Sequence, residues 1–93
     1  MKMIFSMFDK KAKVYAPPFC SENLQVLKRQ LTVEVGRGDS MLSQFPTDYE
    51  IYHLGYFDAP SGEITLNKNP DFCFNMAEIA TPTPAPAAVG QEA

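Results

Sequence analysis

The sequence is poor in the residues that bind metals or act as nucleophiles. It has two cysteines, Cys20 and Cys73, and one histidine, His53. A structural zinc site needs four ligands, so this set cannot build one within a single chain. Nothing in the sequence indicates secretion, so we expect reduced thiols rather than a disulfide. Thiol catalysis is disfavoured too, because His53 is the one available base and neighbours neither cysteine in sequence.

Long hydrophobic runs are also missing. No apolar stretch approaches the roughly 18 residues of a membrane span, so we expect no membrane contact. The segment from Met1 to Asp9 is shorter than the apolar region of a signal peptide and lacks a small-residue cleavage site. We interpret it as a first β-strand.

The net charge is small, −3, but it is unevenly distributed. Residues 1–37 carry seven Lys and Arg against three acidic residues, a balance of +4, whereas residues 38–93 carry one Lys against eight acidic residues, a balance of −7. This asymmetry permits a basic face for nucleic acid. The favoured alternative is mutual attraction of the two halves, in the fold or in a dimer, because strong DNA-binding proteins are usually basic overall.

Two stretches have the pattern of β-hairpins. The clearer one joins strand-like runs at 49–57 and 63–66 through Asp58-Ala59-Pro60-Ser61-Gly62, which supplies the residues that tight turns need. The other joins 4–8 to 13–16 across the polar residues 9–12. Pro17-Pro18 then ends the second strand, because proline cannot donate a ladder hydrogen bond.

Between the hairpins, the hydrophobic spacing changes to that of a helix. Leu24, Leu27, Leu31 and Val35 form one apolar stripe at a 3.6-residue period. The pattern predicts a helix over 22–35, with Ser21 as its N-cap, Glu22 in its first turn and Gly36 as its end. Alternation at 31–35 leaves a strand as the competing assignment for the last turn.

The predicted fold is therefore α+β, a small antiparallel sheet of two hairpins with one helix packed on it in ββαββ order. We expect one domain over 1–70 and a weakly structured to disordered Pro/Ala-rich tail over 71–93, with an edge strand or a turn around 72–74 as an option. A chain of 93 residues buries only about 60–65% of its unfolded surface, so its stability is marginal and a homodimer would increase it.

No arrangement of side chains predicts an active site. The carboxylate pairs Asp48/Glu50 and Asp58/Glu63 are typical of solvated strands and turns, and a single histidine within a strand is typical of packing. We expect a protein that is not an enzyme, with no metal and no cofactor.

Single-stranded nucleic acid is the better-supported ligand. Such binding needs aromatic rings for base stacking and cationic side chains along the phosphates. The first hairpin interleaves Phe5, Phe8 and Tyr15 with lysines, and the helix adds two further cations. The predicted nucleic-acid-binding residues are Lys10, Lys11, Lys13, Tyr15, Lys28 and Arg29. Stacking requires Phe8 and Tyr15 to be accessible beside lysines, whereas a core role requires them to be buried.

Several short motifs follow one another in an order that is found in a known family. They are Tyr15-Ala16-Pro17-Pro18-Phe19 before the helix, Phe45-Pro46-Thr47-Asp48-Tyr49, Leu54-Gly55-Tyr56-Phe57-Asp58, and Ser61-Gly62. Over residues 3–66 the chain resembles the small nonstructural protein of gokushovirus-type microviruses, which are single-stranded DNA phages. It departs from that pattern at Lys28-Arg29-Gln30-Leu31 and at Ser61, where the family usually has an alanine–arginine–phenylalanine segment and a threonine.

The resemblance implies a role in viral DNA replication in the host bacterial cytoplasm, outside the finished capsid, and supplies no catalytic residues. The expected partner is single-stranded viral DNA, bound weakly. The alternative is a protein–protein adaptor that recruits or regulates phage or host replication or packaging proteins without contacting DNA. Among the matching positions, Gly55 is expected to permit a β-bulge or a close backbone approach.

Overall fold

An antiparallel sheet dominates the computed structural model, which describes residues 1–38 and 40–80. The strands are β1 Lys2–Asp9, β2 Val14–Tyr15, β3 Phe19–Ser21, β4 Tyr49–Asp58 and β5 Glu63–Asn75. Strand β1 pairs with β4, and β4 pairs with β5; β2 and β3 share the other edge of β1. The predicted α+β class is confirmed. The predicted ββαββ order is not matched, because the chain also forms strand β3 and short helices.

The first hairpin turns at Asp9. Its carboxylate accepts hydrogen bonds from the backbone N–H groups of Lys11, at 2.9 Å, and Ala12, at 3.1 Å, and its carbonyl accepts from Lys13 N–H at 2.7 Å. Such bonds from an Asp side chain to the following backbone are what makes the residue a turn former. Beyond the two prolines the chain returns to the same edge, where β3 pairs with residues 3–5 of β1.

The helix α1 spans Leu24–Gly36, close to the predicted range and including the segment for which a strand competed. Its N-cap is Asn23 rather than Ser21. The Asn23 side-chain oxygen accepts from Val26 N–H at 2.9 Å, which satisfies one of the free N–H groups of the first turn. Ser21 is instead the last residue of β3, and Glu22 precedes the helix.

The predicted apolar stripe of α1 packs against the sheet. Leu27 and Val35 are buried, and Leu24 and Leu31 are partly buried against the same core. From the sheet that core takes residues 5, 51 and 74, and from the segment after β5 it takes Met76. The helix α1 therefore covers one face of the sheet.

Two short elements connect α1 to β4. A one-turn helix α2 spans Met41–Gln44, and a 3-10 turn spans Pro46–Asp48. The hydroxyl of Ser43 donates to the carbonyl oxygen of Val35 at 2.7 Å, which ties α2 to the end of α1. None of the helices that the described residues form is long and apolar enough to cross a membrane.

The hairpin of β4 and β5 is irregular where the chain changes register. As expected, Gly55 allows a close approach: a Cβ at this position would collide with the carbonyl oxygen of Thr65 and lie 2.9 Å from Leu66 Cα. The ladder between β4 and β5 passes from the pair Gly55↔Leu66 to the pair His53↔Asp71. Residues 67–70 therefore have no partner on β4 and bulge out of β5.

The domain extends beyond residue 70, where the sequence predicted its end. Strand β5 continues to Asn75, a short helix α3 follows at Ala77–Ala80, and Phe74 and Met76 are fully buried. A boundary at residue 70 would cut β5 and remove both core side chains. The option of an edge strand around 72–74 is the correct one. The rest of the predicted tail, 81–93, lies outside the described residues.

Candidate nucleic-acid interface

The face of the sheet opposite α1, here called the bare face, carries a different set of side chains from the core face. Residues paired across antiparallel strands point to the same side of a sheet. Phe5 faces the helix, so its neighbour along β1, Ser6, and the Ser6 partner Tyr52 face the other way. The same rule places Phe8 with its partner Tyr15 on the bare face.

Four aromatic rings lie side by side on the bare face. We call them the aromatic strip: Phe8, Tyr15, Tyr52 and Phe72. Ring centroids are 4.7 Å apart for Phe8–Tyr15, 6.1 Å for Phe8–Tyr52 and 5.7 Å for Tyr52–Phe72. Tyr15 is 46% exposed and Phe72 is 54% exposed, while Phe8 and Tyr52 are half-buried. The strip thus crosses strands β2, β1, β4 and β5 and is open to solvent at both ends.

The two rings named by the sequence differ in exposure. Tyr15 is accessible, as stacking requires, whereas Phe8 is half-buried against it, with 4.7 Å between ring centroids. The observed pair provides the accessible ring that stacking needs.

Three lysines flank the strip at the β1–β2 turn. Lys10, Lys11 and Lys13 are all exposed, and the turn that carries them begins two residues after Phe8 and ends two residues before Tyr15. Lys10 is paired with Glu50, with 3.9 Å between Nζ and Oε2. Within the described residues, Lys11 and Lys13 make no ion pair, so their charges remain available to an anionic ligand.

Glu50 is the acidic component of this surface. Its carboxylate accepts a hydrogen bond from the Tyr52 hydroxyl at 3.1 Å and faces Phe8 across the β1–β4 pair. Burial raises the pKa of Tyr52 above its ordinary value, and the bond to Glu50 raises it further. The phenol therefore stays protonated and keeps donating at neutral pH.

The two helical cations predicted for the same site lie elsewhere. Lys28 projects from α1 onto the core face, where its Nζ lies 5.0 Å from the centroid of the Phe74 ring. Arg29 is exposed on the same helix. The structure thus brings Lys10, Lys11 and Lys13 to Tyr15 and separates Lys28 and Arg29 from them by the thickness of the sheet.

Sequence reasoning missed two members of the strip. Tyr52 follows Ile51 and precedes His53, so alternation alone places it on the face opposite the core once Ile51 is assigned to the core. Phe72 gave no such signal, because the bulge at 67–70 interrupts the period-2 pattern of β5.

His53 and the cysteines take no part in the strip. His53 is buried on the core face between the rings of Phe5 and Tyr56, at centroid distances of 5.5 and 4.8 Å. Cys73 is partly buried, and burial raises its pKa. Within residues 1–38 and 40–80, no three His, Cys, Asp or Glu side chains cluster as metal ligands would.

An open-faced α+β sheet with one covering helix and an exposed aromatic strip defines the structural class. Residues 2–79 match the model of the family described as Phage ORF5 protein. Because this match covers most of the chain, the chain belongs to that family of phage proteins. Comparison with curated proteins and with solved structures finds no match to either.

Proposed function

We propose that this phage protein is a nonenzymatic accessory of viral single-stranded DNA replication that binds single-stranded DNA weakly on the bare face. The observation that carries the proposal is the aromatic strip next to the turn lysines, with Tyr15 46% and Phe72 54% exposed. The similarity to gokushovirus nonstructural proteins supports the replication role and a place of action in the host bacterial cytoplasm.

The strip suits the flat faces of unpaired bases. Stacking on an aromatic side chain contributes about 1–3 kcal/mol per base and tolerates any base, because every base has a π-face. In a duplex these faces are stacked inside the helix and out of reach. An open row of rings on a sheet therefore favours single strands over duplex DNA.

The charges around the strip account for the expected strength and salt dependence of binding. Each phosphate that is neutralised on a single strand contributes a slope of about −0.7 to the dependence of log K on log salt, so three lysines give a slope of about −2. The whole chain is acidic, with a net charge of −3, and Glu50 lies within the site. Long-range attraction to DNA is thus small, and contact depends on the local lysines.

The test is fluorescence anisotropy of labelled single-stranded DNA with charge-matched variants. Lys11→Gln/Lys13→Gln removes two charges beside the strip, and Arg29→Gln/Arg37→Gln removes two exposed charges from α1 and its end. Net charge falls equally in both. We expect the first variant to bind several-fold more weakly with a shallower salt slope, and the second to bind like wild type. Equal losses in both would place the DNA elsewhere.

A ring substitution tests stacking separately from charge. We expect Tyr15→Leu to weaken binding about tenfold, whereas Phe45→Leu, which changes another exposed ring outside the strip, leaves it unchanged. Loss of affinity in the lysine variant alone would indicate purely electrostatic contact.

The adaptor is the second candidate. Ile64 and Leu66 are exposed beyond the strip, at 57% and 69%, and apolar side chains of this kind favour protein contact. An adaptor would show no anisotropy change with single-stranded DNA at any salt concentration. It would instead form a complex with a purified phage or host replication protein, and Ile64→Lys would weaken that complex.

A further inference from the structure

The outer edge of β5 is unpaired along its length within the described residues, because β5 is the last strand of the sheet. A free edge presents N–H and C=O groups to any other strand, and proteins usually block such edges with lysine, proline or a bulge. The two halves of β5 differ in this respect.

The half of β5 that follows Leu66 is blocked. Residues 67–70 bulge out of register, and they include Lys68 and Pro70. The amide of Asn67 binds His53, with 3.0 Å between Nδ2 and the His53 carbonyl oxygen, which fixes the start of the bulge. This half of the strand ends beside the aromatic strip at Phe72.

The half that precedes the bulge has no such protection. Residues 63–66, Glu-Ile-Thr-Leu, pair regularly with β4 and contain neither lysine nor proline. Ile64 is 57% exposed and Leu66 is 69% exposed. A regular β-strand with two large exposed apolar side chains and an open edge is suited to accept another strand.

We propose that the occupant of this edge is a second copy of the same chain, paired antiparallel, β5 against β5, about a twofold axis through Thr65. Any strand is self-complementary under such an axis. In this register Ile64 of each copy lies opposite Leu66 of the other. Both residues face the bare side, since Leu66 pairs with Gly55 and Ile64 with Phe57 on the strand next to them, so two cross-strand apolar pairs form.

Charge is compatible with the same register. Asp58 and Glu63 stand directly opposite each other on β4 and β5, an unfavourable pair of like charges. With Thr65 on the axis, Glu63 lies opposite Asn67 of the second copy, so the paired residues 63–67 place no carboxylate of one copy against a carboxylate of the other.

The test is the oligomeric state of the full chain by sedimentation equilibrium over a range of concentrations. We expect wild type to self-associate to a dimer and Leu66→Lys to weaken the dimer at least tenfold, because it places a lysine in the open half of the edge. Val33→Lys is the matched control, since Val33 is 60% exposed on α1 and its change should leave the dimer intact. A monomer at every concentration, or a dimer unaffected by Leu66→Lys, would overturn the proposal.

Cross-linking tests the register and does not depend on the folding of Leu66→Lys. In a Cys20→Ser/Cys73→Ser background, Thr65→Cys should give a covalent dimer with a short bismaleimide, because residues on the axis have Cβ atoms about 5 Å apart. Val33→Cys in the same background should not. Equal yields from both positions would refute the twofold through Thr65. DNA binding is measured separately, so failure here leaves the proposed function standing.

Discussion

One amide group of Asn67 holds His53 in place. The Asn67 Nδ2 lies 3.1 Å from Nδ1 of the His53 ring and 3.0 Å from the His53 carbonyl oxygen. The amide nitrogen donates to the carbonyl oxygen and lies within hydrogen-bonding distance of the ring Nδ1. This contact joins the first residue of the β5 bulge to a buried residue of the central sheet.

Removal of that amide should therefore loosen β5. We expect Asn67→Ala to lower the free energy of unfolding by about 1–3 kcal/mol, since it removes the side-chain donor to the His53 carbonyl oxygen. Asn69→Ala, an exposed position in the same bulge, should change it by less than about 0.5 kcal/mol. Urea denaturation followed by circular dichroism measures both. Equal effects would show that the contact is not stabilising.

Gly55 should not tolerate a side chain. Gly55→Ala places a methyl group against the backbone of Thr65 and Leu66, which cannot give way as a flexible side chain could. We expect a loss of about 1–3 kcal/mol or more, as for other overpacked sites. Gly36→Ala is the control, because a Cβ there meets no atom within 4 Å. It should be neutral or slightly stabilising in a thermal melt. An unchanged midpoint for Gly55→Ala would contradict the close approach.

Leu27 should be the most sensitive position of α1. It is 2% exposed, and truncation to Ala leaves a cavity whose cost is typically about 2–5 kcal/mol. That is a large part of the stability of a small domain. Val33→Ala, on the exposed side of the same helix, separates this effect from any general effect on the helix. If both variants melt together with wild type, the core described around Leu27 is wrong.

The two cysteines should differ in reactivity. Burial, and after it the nearby Asp71 carboxylate, raises the pKa of Cys73. At pH 8 its thiolate fraction is then lower than that of an ordinary cysteine, and alkylation proceeds through the thiolate. We expect Cys73 to react with iodoacetamide more slowly than the exposed Cys20, and the gap to narrow as pH rises and Cys73 ionises. Mass spectrometry of the labelled peptides gives both rates. Equal rates at pH 8 would refute the difference.

Local patterns predicted the helix and both hairpin turns because their causes are local. The apolar stripe around Leu27 and the turn residues from Asp58 to Gly62 act over a few positions. Strand β3 was missed because it has only three residues, directly after the two prolines. Its partner strand lies at the start of the chain, so no local pattern indicates the pairing. The far half of β5 was missed because the bulge hides its alternation.

The candidate site was predictable only in part. Lys10, Lys11, Lys13 and Tyr15 adjoin one turn, so the sequence itself brings them together. Tyr52 and Phe72 join them through the register of β1 with β4 and of β4 with β5. Strand register depends on which face of each strand is buried, and that information is distributed over the whole sheet.

Lys13 has a backbone conformation that suits another residue better. Its φ of 61° lies in the left-handed region, where a residue other than Gly, Asn or Asp costs roughly 1 kcal/mol. Glycine at this position would close the turn with less strain. Lys13→Gly would therefore remove a positive charge and stabilise the turn. The turn thus carries a positive charge beside Tyr15 at the expense of its own conformational energy.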